Sequence, residues 1–416
     1  MADTARDPGQ VDRVSPKRMT GRTVFDAAVD RLYGLYANGD RVVVSLSGGK
    51  DSGVCLELAL LAARKAGRLP VEVVMRDEEV MFPGTYEYLE EAANRRDVEF
   101  NWLVTRHAIS NVYNRAEPFW WTFDPRLPRS AWVRTPPAGA VEIDEPSIMR
   151  MTIPERFPVQ AGQRLIAVTG LRAKESFPRY YSVYSAGGHL TQPNKWGTRL
   201  SRPIYDWDDG DVWRAYAERG WAYNSAYDVL LKMGATKNEL RISPPSLNRL
   251  GITILAYASH AWPAWFDRVA DRLPGVRTAA MFGAKSVTPR RMLGETWKAV
   301  FLRECIENAP PFVRARSEMA LKRFASAHLK HAGADLPDVV SCRSCSGNIG
   351  SYQALAKAMY NGDPLNSKVG SALPDLEQRL QPPWWTEAPH LAHRTIVPVP
   401  WPVDVGDVAH IPVEVA

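Results

Sequence analysis

The feature that most constrains this chain is a short loop rich in glycine and serine that follows three consecutive valines. Residues 42–44 predict a buried strand, and the sequence Ser-Gly-Gly-Lys-Asp-Ser occupies positions 47–52 directly after it. Residues 51–66 place apolar side chains at helical spacing, and Gly67 is typical of a helix end. A strand, a tight loop and a helix in this order bring the loop to the carboxyl edge of a parallel sheet, where open α/β folds bind ligands.

The composition of this loop fits a polyphosphate. Two adjacent glycines let the backbone approach phosphate oxygens, two serines supply hydroxyl donors, and the N–H groups of the following helix point to the same place. Lys50 adds a positive charge, and Asp51 either positions a Mg²⁺ ion that bridges the phosphates or caps the helix. We therefore predict an ATP site with Lys50 and Asp51 as candidate catalytic groups. The expected nucleotide contacts in this segment are Ser45, Ser47, Gly48, Gly49, Lys50, Asp51 and Ser52.

The chain around the loop alternates between strand and helix patterns. Residues 71–75 and 99–104 predict strands, residues 84–96 predict a helix between them, and residues 165–169 predict a later strand. Such alternation predicts an α/β fold with a doubly wound parallel sheet covered by helices.

We expect four regions along the chain. They are a flexible arm at 1–21, a nucleotide-binding domain at 22–240, a mainly helical C-terminal region at 241–380, and an extended tail rich in proline and tryptophan at 381–416. Within the nucleotide domain, residues 119–158 are rich in Pro, Trp and Arg and show no clear period. They form either an insertion over the edge of the active site or a structural loop.

A second group of motifs follows the strand predicted at 165–169. Thr-Gly-Leu-Arg occupies 169–172, Pro-Ile-Tyr-Asp-Trp occupies 203–207, and Asp-Val-Trp occupies 211–213. With the loop at 47–52, this order resembles the phosphoadenosine phosphosulfate reductase-like branch of the PP-loop ATP pyrophosphatase superfamily. The resemblance implies an adenine nucleotide alpha-hydrolase-like fold. It also implies cleavage of ATP between the α and β phosphates, which releases pyrophosphate and leaves an adenylylated acceptor.

The resemblance adds residues to the predicted site. Arg172 and Arg179 can make bidentate contacts to phosphate or sulfate, and Arg172 is a candidate catalytic group. Gly170 belongs to the same motif. Asp77, at the end of the second strand, lies where this fold commonly meets the adenosine; alternatively it belongs to a solvated turn in the acidic run at 77–79.

The chain also departs from the reductases, whose catalytic cysteine lies in a tail containing Glu-Cys-Gly. Residues 403–416 contain no cysteine. The resemblance points instead to relatives with a long C-terminal extension, which often occur with ParB-like partners, and to the DNA phosphorothioation ATP pyrophosphatase. We predict an enzyme that adenylylates an acceptor, DNA or tRNA, for sulfur transfer. A nucleotide-binding regulator acting with a ParB-like protein and a sulfonucleotide reductase stay open as alternatives.

The cysteines allow three interpretations. Only four in 416 residues predict a reducing compartment, which is the cytoplasm. Cys342 and Cys345 form a CxxC pair. With Cys305 they supply three thiolates for a 4Fe–4S cluster, and with His328 and His331 they supply a zinc site. In the third interpretation the pair binds no metal and Cys305 is a core residue.

Nucleic-acid binding has to be argued from local features, because a net charge of +6 permits an anionic partner without demanding one. The helix predicted at 311–331 is rich in Arg and Lys, and it either follows a phosphate backbone or is a solvated face. The tryptophan pairs at 120–121 and 384–385 either stack on bases or pack in the core. No run approaches 18 apolar residues, so no membrane span is expected.

Overall fold

A computed structural model describes most of the chain. The described residues are 21–106, 108–125, 127–146, 149–237, 239–240, 242, 250–283, 287–346, 349–363 and 369. The tail predicted at 381–416, with Trp384 and Trp385, and residues 1–20 of the predicted arm lie outside them.

The strands and helices follow the sequence in the alternation that the pattern predicts. In chain order the first are α1 (Val24–Ala37), β1 (Arg41–Ser45), α2 (Lys50–Ala66), β2 (Val71–Arg76), α3 (Pro83–Ala93), β3 (Val98–Arg106), β4 (Ala108–Ser110), β5 (Phe119–Trp121), β6 (Val141–Pro146), α4 (Met149–Arg156), β7 (Leu165–Val168) and α5 (Phe177–Ser185). They are followed by β8 (Thr198–Ser201), α6 (Asp209–Arg219), α7 (Ala226–Lys232), α8 (Leu250–Ala261), α9 (Pro263–Arg272), α10 (Val276–Phe282), α11 (Trp297–Phe301), α12 (Pro311–Ala332), α13 (Arg343–Ser346) and α14 (Tyr352–Met359).

Within the described residues, six strands form one sheet in the order β6-β3-β2-β1-β7-β8. β1 pairs in parallel with both β2 and β7, β7 with β8, and β3 with β6. The chain builds outward from β1 on one side and then returns to pair β7 on the other, so the strand order reverses between β1 and β7. This sheet, with its flanking helices and the helices after residue 250, confirms the predicted α/β class and the mainly helical C-terminal region.

The described residues fall into two compact units whose pieces interleave along the chain. The first takes its residues from Met1–Met75, Glu91–Asn101 and Arg150–Tyr223, and the second from Arg76–Glu90, Trp102–Met149 and Asn224–Ala416. The boundary predicted near residue 240 follows a change in sequence pattern, whereas the units are set by which segments pack together. Most of the predicted insertion at 119–158 therefore belongs to the second unit.

Local sequence explains where the central elements begin and end. Residues 42–44 of β1 are buried, as a strand with neighbours on both sides requires. The Thr23 hydroxyl caps α1 by accepting from the Asp26 amide at 3.0 Å. α2 ends where Gly67 takes the left-handed conformation, with φ at 66°.

Two helices begin at polar cap residues. The motif at 169–172 is followed by a 3₁₀ turn, Ala173–Glu175, and by the beginning of α5. Ser176 caps α5 by accepting from the Arg179 amide at 3.4 Å, a signal that the pattern of apolar residues does not carry. In the region expected to be mainly helical, α11 begins at Trp297, after the cap residue Thr296.

Two expectations about apolar residues are answered directly. Trp120 and Trp121 are buried, which supports packing in the core over stacking on bases. None of the helices within the described ranges is long and apolar enough to cross a membrane.

Candidate functional site

The loop between β1 and α2 is held in shape by the hydroxyl of Ser52. This oxygen donates to the carbonyl of Gly49 at 2.9 Å, accepts from the amide of Ser47 at 3.2 Å, and lies 3.1 Å from the Ser47 hydroxyl. Gly48 has φ at +76°, in the left-handed region that favours glycine. Gly49 is the N-cap of α2 and carries no side chain, so no cap side chain covers the amides at the start of this helix.

Gly170 lets the loop after β7 lie directly against the start of α2. A Cβ atom at this position would lie 2.6 Å from the carbonyl carbon of Asp51 and 2.8 Å from the backbone nitrogen of Ser52. Because real Cβ atoms do not approach backbone so closely, this position requires glycine. The loops that leave β1 and β7 therefore meet, at the point where the strand order reverses and where open α/β sheets bind ligands.

Four charged side chains form a cluster beside this contact. The Arg172 Nε donates to Asp51 Oδ1 at 2.7 Å, and its Nη2 donates to Asp209 Oδ1 at 3.2 Å. The Lys50 Nζ lies 2.9 Å from Asp51 Oδ2 and 3.1 Å from Asp209 Oδ1. We call Lys50, Asp51, Arg172 and Asp209 the charge cluster. It contains two cations and two carboxylates, so its formal charge is zero.

Asp51 is not the N-cap of α2, because that residue is Gly49. The two carboxylate oxygens of Asp51 bond to Lys50 and Arg172. The carboxylate of Asp209 likewise lies near Lys50 and Arg172. A role for Asp51 in positioning a Mg²⁺ ion stays a prediction.

Neighbouring residues fix the charge cluster from both sides. The Tyr216 hydroxyl donates to the Lys50 carbonyl at 2.7 Å, which ties α6 to the start of α2. The Arg172 amide donates to Glu175 Oε2 at 3.2 Å, and Arg179 forms an ion pair with the same carboxylate. Arg179, one of the predicted nucleotide contacts, therefore pairs with Glu175 and is linked to the charge cluster through it. Ser45 is the last residue of β1, opposite Val74.

Asp209 is the member of the cluster that the sequence analysis missed. Three acidic residues occupy positions 208, 209 and 211, and the pattern does not distinguish them. In the structure Asp208 and Asp211 form a capping box in which the Asp208 amide donates to Asp211 Oδ2 at 2.7 Å. The spacing of a capping box could have identified Asp209. Asp208 and Asp211 have that spacing, so Asp209 is the acidic residue that the cap does not use.

Comparison with known proteins finds a family model that matches this part of the chain. Residues 41–232 match the model described as the phosphoadenosine phosphosulfate reductase domain. The matched range includes the loop at 47–52, Gly170 and the whole charge cluster.

Individual relatives are more distant. The Escherichia coli (strain K12) protein described as "Uncharacterized protein YbdN" is 24% identical over 371 residues, which is 82% of this chain and 88% of that protein. Candida glabrata FMN adenylyltransferase is 13% identical with a TM-score of 0.34, over 50% of this chain and 58% of that structure, less than two thirds of its length. A phosphate complex of Candida auris phosphoadenylyl-sulfate reductase is 14% identical with a TM-score of 0.29, over 52% of this chain and 88% of that one.

Asp77, a predicted nucleotide contact, has a buried side chain. The residue is 0% exposed, so it does not lie in a solvated turn. Its carboxylate accepts from Trp102 Nε1 at 2.9 Å and from the Glu79 amide at 2.9 Å, and it forms an ion pair with the buried Arg134. A carboxylate that is buried and bonded in this way has no oxygen facing solvent for an adenosine.

Glu79 shows why this acidic run is buried. Its carboxylate accepts from the amide of Val133 at 3.0 Å and from the Nε of Arg272 at 2.9 Å. Residues 77–79, which directly follow β2, thus contact the segment around residue 133 and α9, all within the second unit. Because burying an ionised carboxylate is costly unless it is paired, the run depends on distant arginines that a local pattern does not reveal.

The cysteines predicted to bind metal are only partly brought together. Cys342 and Cys345 lie with His328 in a group whose ligand atoms are all within 4.8 Å of one another. Cys305 is not in that group. It is buried among apolar side chains, its sulfur lies 3.8 Å from the Ala356 carbonyl oxygen, and burial raises the pKa of its thiol to about 12. The three-cysteine set expected for a 4Fe–4S cluster is therefore not present among these residues.

The basic helix predicted at 311–331 is α12, and much of its positive charge is used internally. Arg316 is buried and donates to the Gly362 carbonyl at 3.2 Å. Arg314 donates to the Ile306 carbonyl at 2.8 Å, and Arg323 donates to a main-chain carbonyl at 3.1 Å. These contacts weaken the interpretation of α12 as a track for a phosphate backbone.

Proposed function

We propose that the chain is an ATP pyrophosphatase that transfers AMP from ATP to an oxygen of an acceptor and releases pyrophosphate, after which a sulfur nucleophile displaces AMP. The observation that carries the proposal is the charge cluster at the start of α2. There Lys50 and Arg172 both pair with Asp51, next to a helix start whose amides no cap side chain covers. The family match supports an adenine nucleotide as the ligand.

The arrangement supplies positive charge where a leaving pyrophosphate needs it. Cleavage between the α and β phosphates puts negative charge on the departing oxygens, and fixed donors aimed at that charge lower the barrier. Asp51 already holds Lys50 and Arg172 beside the loop. These two side chains therefore lose little conformational entropy when they bind phosphates.

We expect Mg²⁺ to bind together with the nucleotide and not to the protein alone. The charge cluster is formally neutral, whereas the triphosphate carries several negative charges, so the bound state needs an additional cation. A magnesium ion bound mainly by phosphates and water is the form that this ion prefers in such sites.

We place the acceptor along α5, where an aromatic stripe is exposed. Phe177, Tyr181 and Tyr184 follow one another at intervals of four and three residues, so they share one helix face, and they are 55%, 50% and 74% exposed. The ion pair between Arg179 and Glu175 ties this helix to the turn that carries Arg172. Exposed aromatic rings stack on bases regardless of sequence, which supports DNA or tRNA as the acceptor, modified by sulfur transfer.

A sulfonucleotide reductase is the second candidate, because the matched family model bears that activity in its description. That reaction needs a reactive thiolate. Cys55 and Cys305 are both buried, and burial raises the pKa of each thiol, which makes both poor nucleophiles.

The test is the fate of α-labelled ATP incubated with the full chain and sulfide, in the absence of nucleic acid, with DNA or with bulk tRNA. We expect labelled AMP with one of the two nucleic acids and little without an acceptor. If ATP binds but stays intact in all three conditions, the proposal fails in favour of a nucleotide-binding regulator acting with a ParB-like partner. Thiol-dependent release of sulfite from an adenylyl sulfate would favour the reductase.

A further inference from the structure

A second site with ligand chemistry lies in the helical part of the chain. His328, near the end of α12, is buried, and its Nδ1 lies 3.3 Å from the sulfur of Cys345. Cys342 precedes Cys345 by three positions, and its sulfur is within 4.8 Å of the other two ligand atoms. The next histidine on α12, His331, is exposed and is not part of this group.

The spacing of these atoms fits a tetrahedral ion. A zinc ion bound at about 2.1 Å to nitrogen and about 2.3 Å to sulfur places those ligands about 3.6 Å apart. The observed separation of 3.3 Å between His328 and Cys345 is close to that edge. The side chains therefore need only small movements to surround a metal.

The kinds of ligand favour zinc over an iron–sulfur cluster. Zinc takes two thiolates and one imidazole readily, with a water or a further donor in the fourth position. A 4Fe–4S cluster is held by cysteine thiolates, and Cys305, the third cysteine of the helical region, packs in an apolar cluster with its sulfur against the Ala356 carbonyl.

We propose that His328, Cys342 and Cys345 bind one zinc ion, a site separate from the nucleotide-binding loop. The ion joins α12 to the segment that runs from Asp335 to Ser351, which contains the single turn of α13. Thiolate and imidazole ligands from two parts of the chain give this segment a link that hydrogen bonds alone do not provide.

The rest of that segment is already placed for such a link. The carboxylate of Asp335 accepts from Lys298 Nζ at 2.6 Å and from the Tyr352 hydroxyl at 2.9 Å. Farther along, the hydroxyls of Ser341 and Ser351 lie 3.1 Å apart, and the Cys342 amide donates to a main-chain carbonyl at 3.1 Å. Both ends of the segment are thus fixed, and the zinc ion fastens its middle to α12.

The test is the metal content of the full chain, purified without chelators and measured by plasma mass spectrometry. We expect about one zinc ion per chain in the wild type and in His331→Ala, which changes an exposed histidine on the same helix. We expect at least a fivefold loss in Cys345→Ser and in His328→Ala.

A second measurement does not depend on whether those variants fold. Cobalt(II) added to the metal-free wild type should give the intense near-ultraviolet absorption of thiolate-bound cobalt, and zinc should displace it. No metal in the wild type before or after such reconstitution, equal zinc in all variants, or iron with acid-labile sulfide in place of zinc would each overturn the proposal. None of these results depends on ATP turnover, so this site and the proposed activity can fail separately.

Discussion

Arg172 connects the charges of the candidate site, because its guanidinium reaches both Asp51 and Asp209. We expect Arg172→Ala to weaken ATP binding by about 2 kcal/mol, roughly thirtyfold in Kd, since it removes charge-assisted hydrogen bonds. Isothermal titration of ATP into the full chain measures this directly.

The matched control is Arg214→Ala, which removes an arginine that pairs with Glu218 on the surface of α6. It should leave the Kd for ATP unchanged, because exposed pairs contribute little. Equal affinities for the wild type and Arg172→Ala would show that the charge cluster does not contact the nucleotide.

Gly170 provides a second prediction, one about backbone contact instead of charge. Gly170→Ala places a Cβ atom against the backbone of Asp51, so the start of α2 must shift; we expect a loss of about 1–3 kcal/mol in the free energy of unfolding and weaker ATP binding. Gly210→Ala, in α6, meets no atom within 4 Å and should leave stability equal or higher. Thermal and urea unfolding of the two variants give the comparison, and similar losses in both would contradict it.

At the same scale, the loop motif and the later Thr-Gly-Leu-Arg motif name three residues that lie together in the structure. Lys50, Asp51 and Arg172 meet through ion pairs that the motifs do not specify, and their contact with a nucleotide stays a prediction. The burial of Asp77 was not predicted, because its partner Arg134 lies 57 positions away. No local pattern reports a contact between residues so distant in the chain.

At the scale of elements, α5 carries the prediction about the acceptor. Replacing Tyr181 and Tyr184 together by alanine should leave ATP binding intact and lower AMP release with nucleic acid by about tenfold or more, because each stacked base contributes about 1–3 kcal/mol. The control is Phe282→Ala, an exposed aromatic residue on α10.

Acceptor titrations separate the outcomes of this experiment. A higher KM for the nucleic acid in the α5 variant alone supports the proposed surface. If the α5 variant and Phe282→Ala behave like the wild type, the acceptor lies elsewhere.

Helices and strands were predictable where apolar residues recur at a regular period. They were less predictable where a polar cap residue determines where a helix begins. β1, α2, β2 and β7 lie within one or two residues of their predicted positions because buried valines and leucines mark them. α5 was not among the predicted elements, since its outer face is aromatic and exposed and its start depends on the Ser176 hydroxyl. The exposed aromatic face of α5 breaks the usual alternation of apolar and polar residues in a surface helix. The same face is the reason to propose that α5 binds a nucleic acid.

At the scale of the whole molecule, the sequence reveals more about the first half of the chain than about the second. The family match covers residues 41–232 and includes the nucleotide loop, while the helices after residue 250 lie beyond it. The site that we propose to bind zinc lies in this helical region, and only part of its ligand set could be predicted from the sequence. The CxxC pair was visible, but the choice of His328 over Cys305 required the packing of α12 and α14 around the buried Cys305.

The most direct test of the central claim is the ratio of products released from ATP by the wild type and by Arg172→Ala with the best nucleic-acid acceptor. With sulfide present, we expect pyrophosphate and AMP in equal amounts from the wild type, and a rate lower by about a hundredfold in the variant. Release of ADP and phosphate, or equal AMP formation by the variant and the wild type, would contradict it.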